Sequence, residues 1–171
     1  MTYNIHPIFV HFPIALLVVY SIIKILPLKK WVPSVSWKDI ELVLLVVGVL
    51  GAFAGLSSGE SAEHLTRPNR ALVEAHAFFA AAATWMYGLL LGGEFLRLVS
   101  GWIVKTIQAP KVLQVVFFVR DLLTHSFLAT TLAVLGLVTI SVTGLLGGVM
   151  VYGTSADPIA SIVLSILGIS Y

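Results

Sequence analysis

Residues 122–156 read LLTHSFLATTLAVLGLVTISVTGLLGGVMVYGTSA, a run with no Asp, Glu, Lys or Arg. A helix rises about 1.5 Å per residue, so about 20 apolar residues cross the ~30 Å hydrocarbon core of a bilayer. This run is long enough to do so, and it is not alone. Met1–Ile23 also lacks all four charged residue types, and Ala75–Gly93 carries His76 but no Asp, Glu, Lys or Arg. Residues 40–57 add a further run whose one charge is Glu41. Spans are therefore expected at about 7–28, 40–57, 72–97 and 122–152.

Composition agrees. Of 171 residues, 58% are hydrophobic and 11% charged, with a mean hydropathy of +1.02. A soluble domain carries about 25% charged residues, so lipid must be the solvent for most of this chain. The expected fold is all-α: one integral membrane domain over 1–171, a four-helix bundle with an extra short apolar helix in the tail 159–171, which is too short to span and is placed in the interface or against the bundle. A net charge of +2 gives no reason to expect a nucleic-acid partner. Without cysteine, disulfides, thiolate-bound iron–sulfur clusters and covalently attached haem are excluded. No Lys or Arg precedes the first apolar run and Lys24, Lys29 and Lys30 follow it, the flank of a stop-transfer segment and not of a cleaved signal peptide.

Punctuation refines the elements. Pro7 suits a first helical position and Pro13 falls inside the first helix. Trp31 and Trp37 fit an interfacial belt, and Pro68 suits the start of the third helix. The helical pattern of the third span continues past Glu94 and Arg97 to Trp102. Val112–Val119 reads as an amphipathic or interfacial stretch, or as an extension of the fourth span.

Charge then orients the bundle. Lys24, Lys29, Lys30, Lys38, Arg97, Lys105, Lys111 and Arg120 flank the first and third connections, whereas the second holds only Arg67 and Arg70. Eight against two places the second loop and both termini outside a cell (inner) membrane by the positive-inside rule. His6, His11, His64 and His76 then share the outer layer, and His125 falls near the inner end. Intramembrane imidazoles are costly and face the bundle interior. His11 and His76 are the two expected below the interface, at matching depth on the first and third spans.

Neutral imidazole ligates haem iron and several transition metals. The expected site is a b-type haem between His11 and His76, with Gly51, Gly55, Gly144 and Gly147 giving clearance and Arg67, Arg70 and Tyr152 near the propionates. His6 and His64 are secondary metal candidates. The same residues also have structural readings: His6 and His64 as solvated interfacial groups, His11 as a cap for backbone freed by Pro13, His76 bonded to Glu74, a loop carbonyl or His11, and the glycines as helix-packing contacts. Phe78, Phe79, Trp85 and Tyr87 read as packing and interface anchors. The inner half offers few polar groups beyond His125, Ser141 and Thr143, which weighs against a transport path.

Two separated motifs carry a resemblance. His6-Pro-Ile-Phe-Val-His11-Phe-Pro13 resembles the opening, and Thr143-Gly-Leu-Leu-Gly147-Gly148-Val-Met-Val151-Tyr152-Gly153 the closing motif, of the domain-of-unknown-function 2231 family of four-helix membrane proteins. His76 matches its central histidine. The resemblance covers about residues 4–153 and implies no established activity, but association with Rieske or cytochrome c domains implies a redox setting. The stretch 97–121 is longer than that family's pattern, and the tail is extra.

Three functions follow as expectations: an electron-transfer protein or redox-complex subunit, working with quinone or an external redox protein; a non-haem metal-binding membrane protein; or a cofactor-free anchor. No nucleophile elbow, phosphate loop or zinc-protease motif points to enzyme chemistry.

Overall fold

A computed structural model describes residues 6–66, 69–106 and 109–170, and within these the side chains of all but 60–66 and 156. The described residues form α1 (His6–Ile25), α2 (Leu28–Trp31), α3 (Trp37–Thr66), α4 (Arg70–Thr106), α5 (Pro110–Thr124), α6 (Ser126–Tyr152), a 3-10 turn (Gly153–Ala156) and α7 (Ala160–Ile166). Four helices, α1, α3, α4 and α6, are long and apolar enough to cross a membrane. Phe12, Val43, Leu50, Phe78, Trp85 and Val138 are exposed along them, as side chains facing lipid should be.

In this four-helix bundle α1 packs against α3 and α6, and α4 packs against the same two, so α1 and α4 face each other across the diagonal. The sequence sets this geometry with glycine. A Cβ at Gly48 would meet Leu17 at 2.6 Å, one at Gly51 would meet Pro13 at 3.0 Å, and one at Gly55 would meet Val10 at 3.3 Å. Glycines three and four apart lie on one face of α3, and the antiparallel α1 lays its own three- and four-spaced residues into that groove. The ladder has a further rung, where Gly59 lies beside His6, with 3.6 Å from a Cβ position to the ring. A second register joins α4 to α6: Gly136 lies beneath the Tyr87 ring (2.8 Å from a Cβ position) and Gly147 beside His76 (3.4 Å). Both intervals are 11 residues, or three turns, so Tyr87 and His76 share one stripe of α4.

The core between these seams is Leu17, Tyr20, Leu45, Val49, Ala83, Tyr87, Leu90, Ala133 and Ile140. At its centre the hydroxyls of Ser21 and Tyr87, both wholly buried, bond at 2.7 Å, and the Tyr20 ring meets the edge of Tyr87. Tyr87 is thus a core packing residue, as expected of it, whose hydroxyl adds a hydrogen bond across the bundle. The end of the bundle away from the histidines is also richer in buried polar groups than expected, since Ser21 and Glu41 are buried there, while Ser141 is exposed.

Two elements extend the four spans. At 37 residues α4 is about 55 Å long, well beyond the ~30 Å core. Its far end pairs with α5, which begins at Pro110 and returns until Leu123 sits against Gly93. The stretch 112–119 is therefore a helix of its own, broken from α6 at His125, whose backbone is extended (ψ 128°). The tail forms α7, and Ala160 and Leu164 pack with Leu72, Leu146 and Val149 over the α4–α6 seam. It lies against the bundle, covering the back of the helices that position His76.

A pair of histidines on the bundle axis

His6 and His76 meet across the diagonal, with ring centroids 6.5 Å apart and planes at 75°. His6 opens α1; His76 stands almost two turns into α4, which begins at Arg70. Each ring is held by a different neighbouring helix. The Nδ1 of His76 donates to the Thr143 carbonyl of α6 at 3.0 Å. A carbonyl only accepts, so this bond selects the tautomer with its lone pair on Nε2. The Nδ1 of His6 lies 2.8 Å from Ser58 Oγ on α3, and Ser58 donates its own proton to the Gly55 carbonyl at 3.0 Å. With that proton spent, His6 Nδ1 is the donor to the hydroxyl, and its lone pair too is on Nε2. The two rings are thus set in the same tautomer by groups on α3 and α6, the arrangement by which proteins orient metal-ligating histidines.

The pairing differs from the one expected. His11 and His76 are not brought together. Five residues separate His6 from His11, about 140° around a helix, so only one of them can face the axis. That one is His6, because its register on α3 falls at Gly59, and the larger ring needs a glycine beside it. His11 is exposed, and its Nδ1 bonds the Pro7 carbonyl of its own helix at 2.5 Å. This is a bond within its own helix one turn away, to the Pro7 carbonyl and not to the Phe9 carbonyl that Pro13 leaves free.

The other expected site residues scatter. Gly51 and Gly55 are filled by Pro13 and Val10 and give no clearance to a flat ligand. Gly144 is exposed with nothing near it, so its face points away from the axis, whereas Gly147 does border the His76 ring. Arg70 is exposed and paired with Glu74 at 2.8 Å, and Tyr152 is 73% exposed. Arg67 and the side chain of His64 lie outside the described residues. His125 is exposed at the α5–α6 junction. Ser58 and Thr143, which orient the rings, were not singled out in the sequence. Their signal is register: Ser58 adjoins the Gly59 rung, and Thr143 lies four residues before Gly147.

Among the described residues, no three of His, Asp and Glu converge on a metal-sized space. The described donor set is therefore two imidazoles, which suits a group that brings its own remaining ligands.

Comparison with known proteins gives one result. Neither the curated proteins nor the solved structures contain a match to this chain. The family described as predicted membrane protein (DUF2231) matches residues 2–157, which includes both histidines, both glycine registers and all four spans but not α7. The bundle and its two opening and closing motifs therefore mark this chain as a member of the DUF2231 family of membrane proteins.

Proposed function

We propose that this protein is a membrane-embedded electron-transfer subunit that holds a b-type haem between His6 and His76, His6 and not His11 being the α1 histidine that faces His76. The observation that carries the reading is the meeting of two imidazoles from diagonal helices, ring centroids 6.5 Å apart, each with Nδ1 within hydrogen-bond distance of a neighbouring helix, contacts from which the Nε2 lone pairs are inferred. The spacing supports it. Metal–nitrogen bonds of about 2.0–2.1 Å set ring centres roughly 6 Å apart when two imidazoles lie on opposite sides of one ion, and roughly 5 Å apart at a tetrahedral angle. The observed 6.5 Å favours opposite sides. Rings about a common axis also turn freely relative to one another, so an angle of 75° is compatible.

A haem supplies four porphyrin nitrogens and an iron that exchanges one electron. The chain supplies the rest. Ser58 and Thr143 hold the ring orientations, and Gly59 and Gly147 admit the rings, which stand 3.6 and 3.4 Å from where a Cβ would be. Leu72, Leu146 and Val149, under α7, form the dry packing behind His76. The Lys and Arg distribution supports an outward-facing histidine end, which suits an external acceptor and a quinone donor in the membrane.

The test is a reduced-minus-oxidised visible spectrum of protein purified from haem-replete cells. The expected result is a low-spin b-type spectrum that is lost in His6→Ala and in His76→Ala but kept in His11→Ala. A colourless wild-type protein carrying zinc or copper would instead assign the pair to a non-haem metal.

A further inference from the structure

The lysine end of the bundle holds a second polar site, with no role in the histidine pair. A cavity of about 10 Å³ is lined by Tyr20 of α1, Lys38, Glu41, Leu42 and Leu45 of α3, and Glu94 of α4. That is the volume of a single water site. Every span bordering it presents polar chemistry. From α1 come Tyr20 and Lys24, from α2 Lys29, from α3 Lys38 and Glu41, and from α4 Glu94 and Arg97. Glu41, only 8% exposed, is bound by Lys29 at 2.7 Å and by Lys24 at 3.5 Å, and Glu94 is paired with Arg97.

The independent observation is Tyr20. It is 98% buried, it lines the cavity, and its hydroxyl makes no hydrogen bond to any described residue. Its neighbour Tyr87, equally buried, bonds Ser21 at 2.7 Å. A hydrogen bond left unmade at so buried a residue is costly, and the cavity that Tyr20 lines is water-sized and faced by carboxylates.

We propose that this cavity is a binding site for one water molecule, which accepts a hydrogen bond from Tyr20 Oη and donates to the carboxylates of Glu41 and Glu94. The water joins α1, α3 and α4 at the lysine end, where all three carry polar groups. A metal cation is disfavoured by four surrounding cations, Lys24, Lys29, Lys38 and Arg97, against two carboxylates. A small anion is disfavoured by the carboxylates themselves. The site carries solvent one layer deeper than the ring of charges and stops at the Tyr20 ring.

Radiolytic hydroxyl labelling in H₂¹⁸O of the full-length protein in nanodiscs tests this, because a bound water yields its radical beside the residue it touches. Tyr20 should take up ¹⁸O on the order of tenfold faster than Tyr87, since an ordered internal water sits against one ring and not the other. In Tyr20→Phe, which deletes the water's donor, labelling at position 20 should fall toward the Tyr87 rate, while Glu94→Gln, which keeps an acceptor, should leave it high. Equal slow labelling of Tyr20 and Tyr87 overturns the proposal, because the cavity is then dry. Equal fast labelling overturns it as well, since the bundle is then open to solvent. A rate at Tyr20 that changes between sodium and potassium buffers at constant ionic strength overturns it in favour of an ion. None of these readouts depends on haem.

Discussion

Deleting one hydroxyl at the centre of the bundle has an outcome that can be worked from the structure. Ser21 on α1 and Tyr87 on α4 are both 0% exposed, and their oxygens lie 2.7 Å apart, the usual length of an O–H···O bond. These helices sit on the bundle diagonal, so the bond crosses the core and does not merely decorate one helix. A neutral buried hydrogen bond contributes about 1 kcal/mol net. Interhelical polar pairs in bilayers average about 0.6 kcal/mol by double-mutant cycles, reaching about 1.7. No water competes for this pair, which puts the expected coupling in the upper half of that range, about 1–1.7 kcal/mol. Tyr87→Phe and Ser21→Ala should each destabilise by about 1–2 kcal/mol, and the double variant should cost little more than either alone. The assay is reversible unfolding of the four proteins in mixed micelles of rising denaturing-detergent fraction. Single-variant effects that add to within about 0.3 kcal/mol would show that the hydroxyls do not interact, and would remove this bond from the account of why α1 and α4 keep their register.

Other expectations follow from the same contacts. Gly51→Ala places a methyl 3.0 Å from the rigid Pro13 ring and should cost about 1–3 kcal/mol, whereas Gly92→Ala, with open space around it, should be neutral or stabilising by up to about 1 kcal/mol; the same unfolding assay compares them. Gly147→Val crowds the His76 ring while Gly144→Val does not, so a haem spectrum, once present, should be weakened by the first and kept by the second. Glu41→Ala leaves Lys24 and Lys29 without their carboxylate and should lower stability by about 1.5–3 kcal/mol, measured by detergent unfolding at low salt. Removing residues 158–171 takes away α7 and the burial of Leu164, a loss of about 1.5–3 kcal/mol visible as a lower midpoint in the same titration.

The membrane class and the number of long apolar helices were legible because hydropathy is a property of the chain alone. Bilayer thickness converts it directly into helix number. The regions that were harder to read are those where composition does not decide. Residues 112–119 are apolar enough for a span and charged enough at their flanks for an interface. Only the close seat of Leu123 on Gly93 shows that they return along α4 as α5. The buried hydroxyls near the lysine end are hard to read for a related reason. Tyr20, Ser21 and Tyr87 count as apolar or neutral in any hydropathy window, and their hydroxyls matter only once three helices converge.

The choice between His6 and His11 shows what kind of sequence signal was available and unused. Both histidines sit in one motif, and depth alone favours His11, which lies deeper in the first span. Helix packing decides otherwise. The glycines of α3 at 48, 51, 55 and 59 recur every three or four residues, and against an antiparallel helix they meet positions 17, 13, 10 and 6. The partner of position 11 in that register is Ala54, off the glycine stripe. The α4–α6 seam repeats the logic, since Gly136 and Gly147 are separated by the same three turns as Tyr87 and His76. In each seam the last glycine toward the histidine end receives an imidazole, and the two imidazoles so received are the ones that meet. Glycine here does more than permit close packing. Its spacing selects which side chains reach the axis, so a glycine ladder read against its antiparallel neighbour locates the site more sharply than histidine depth does.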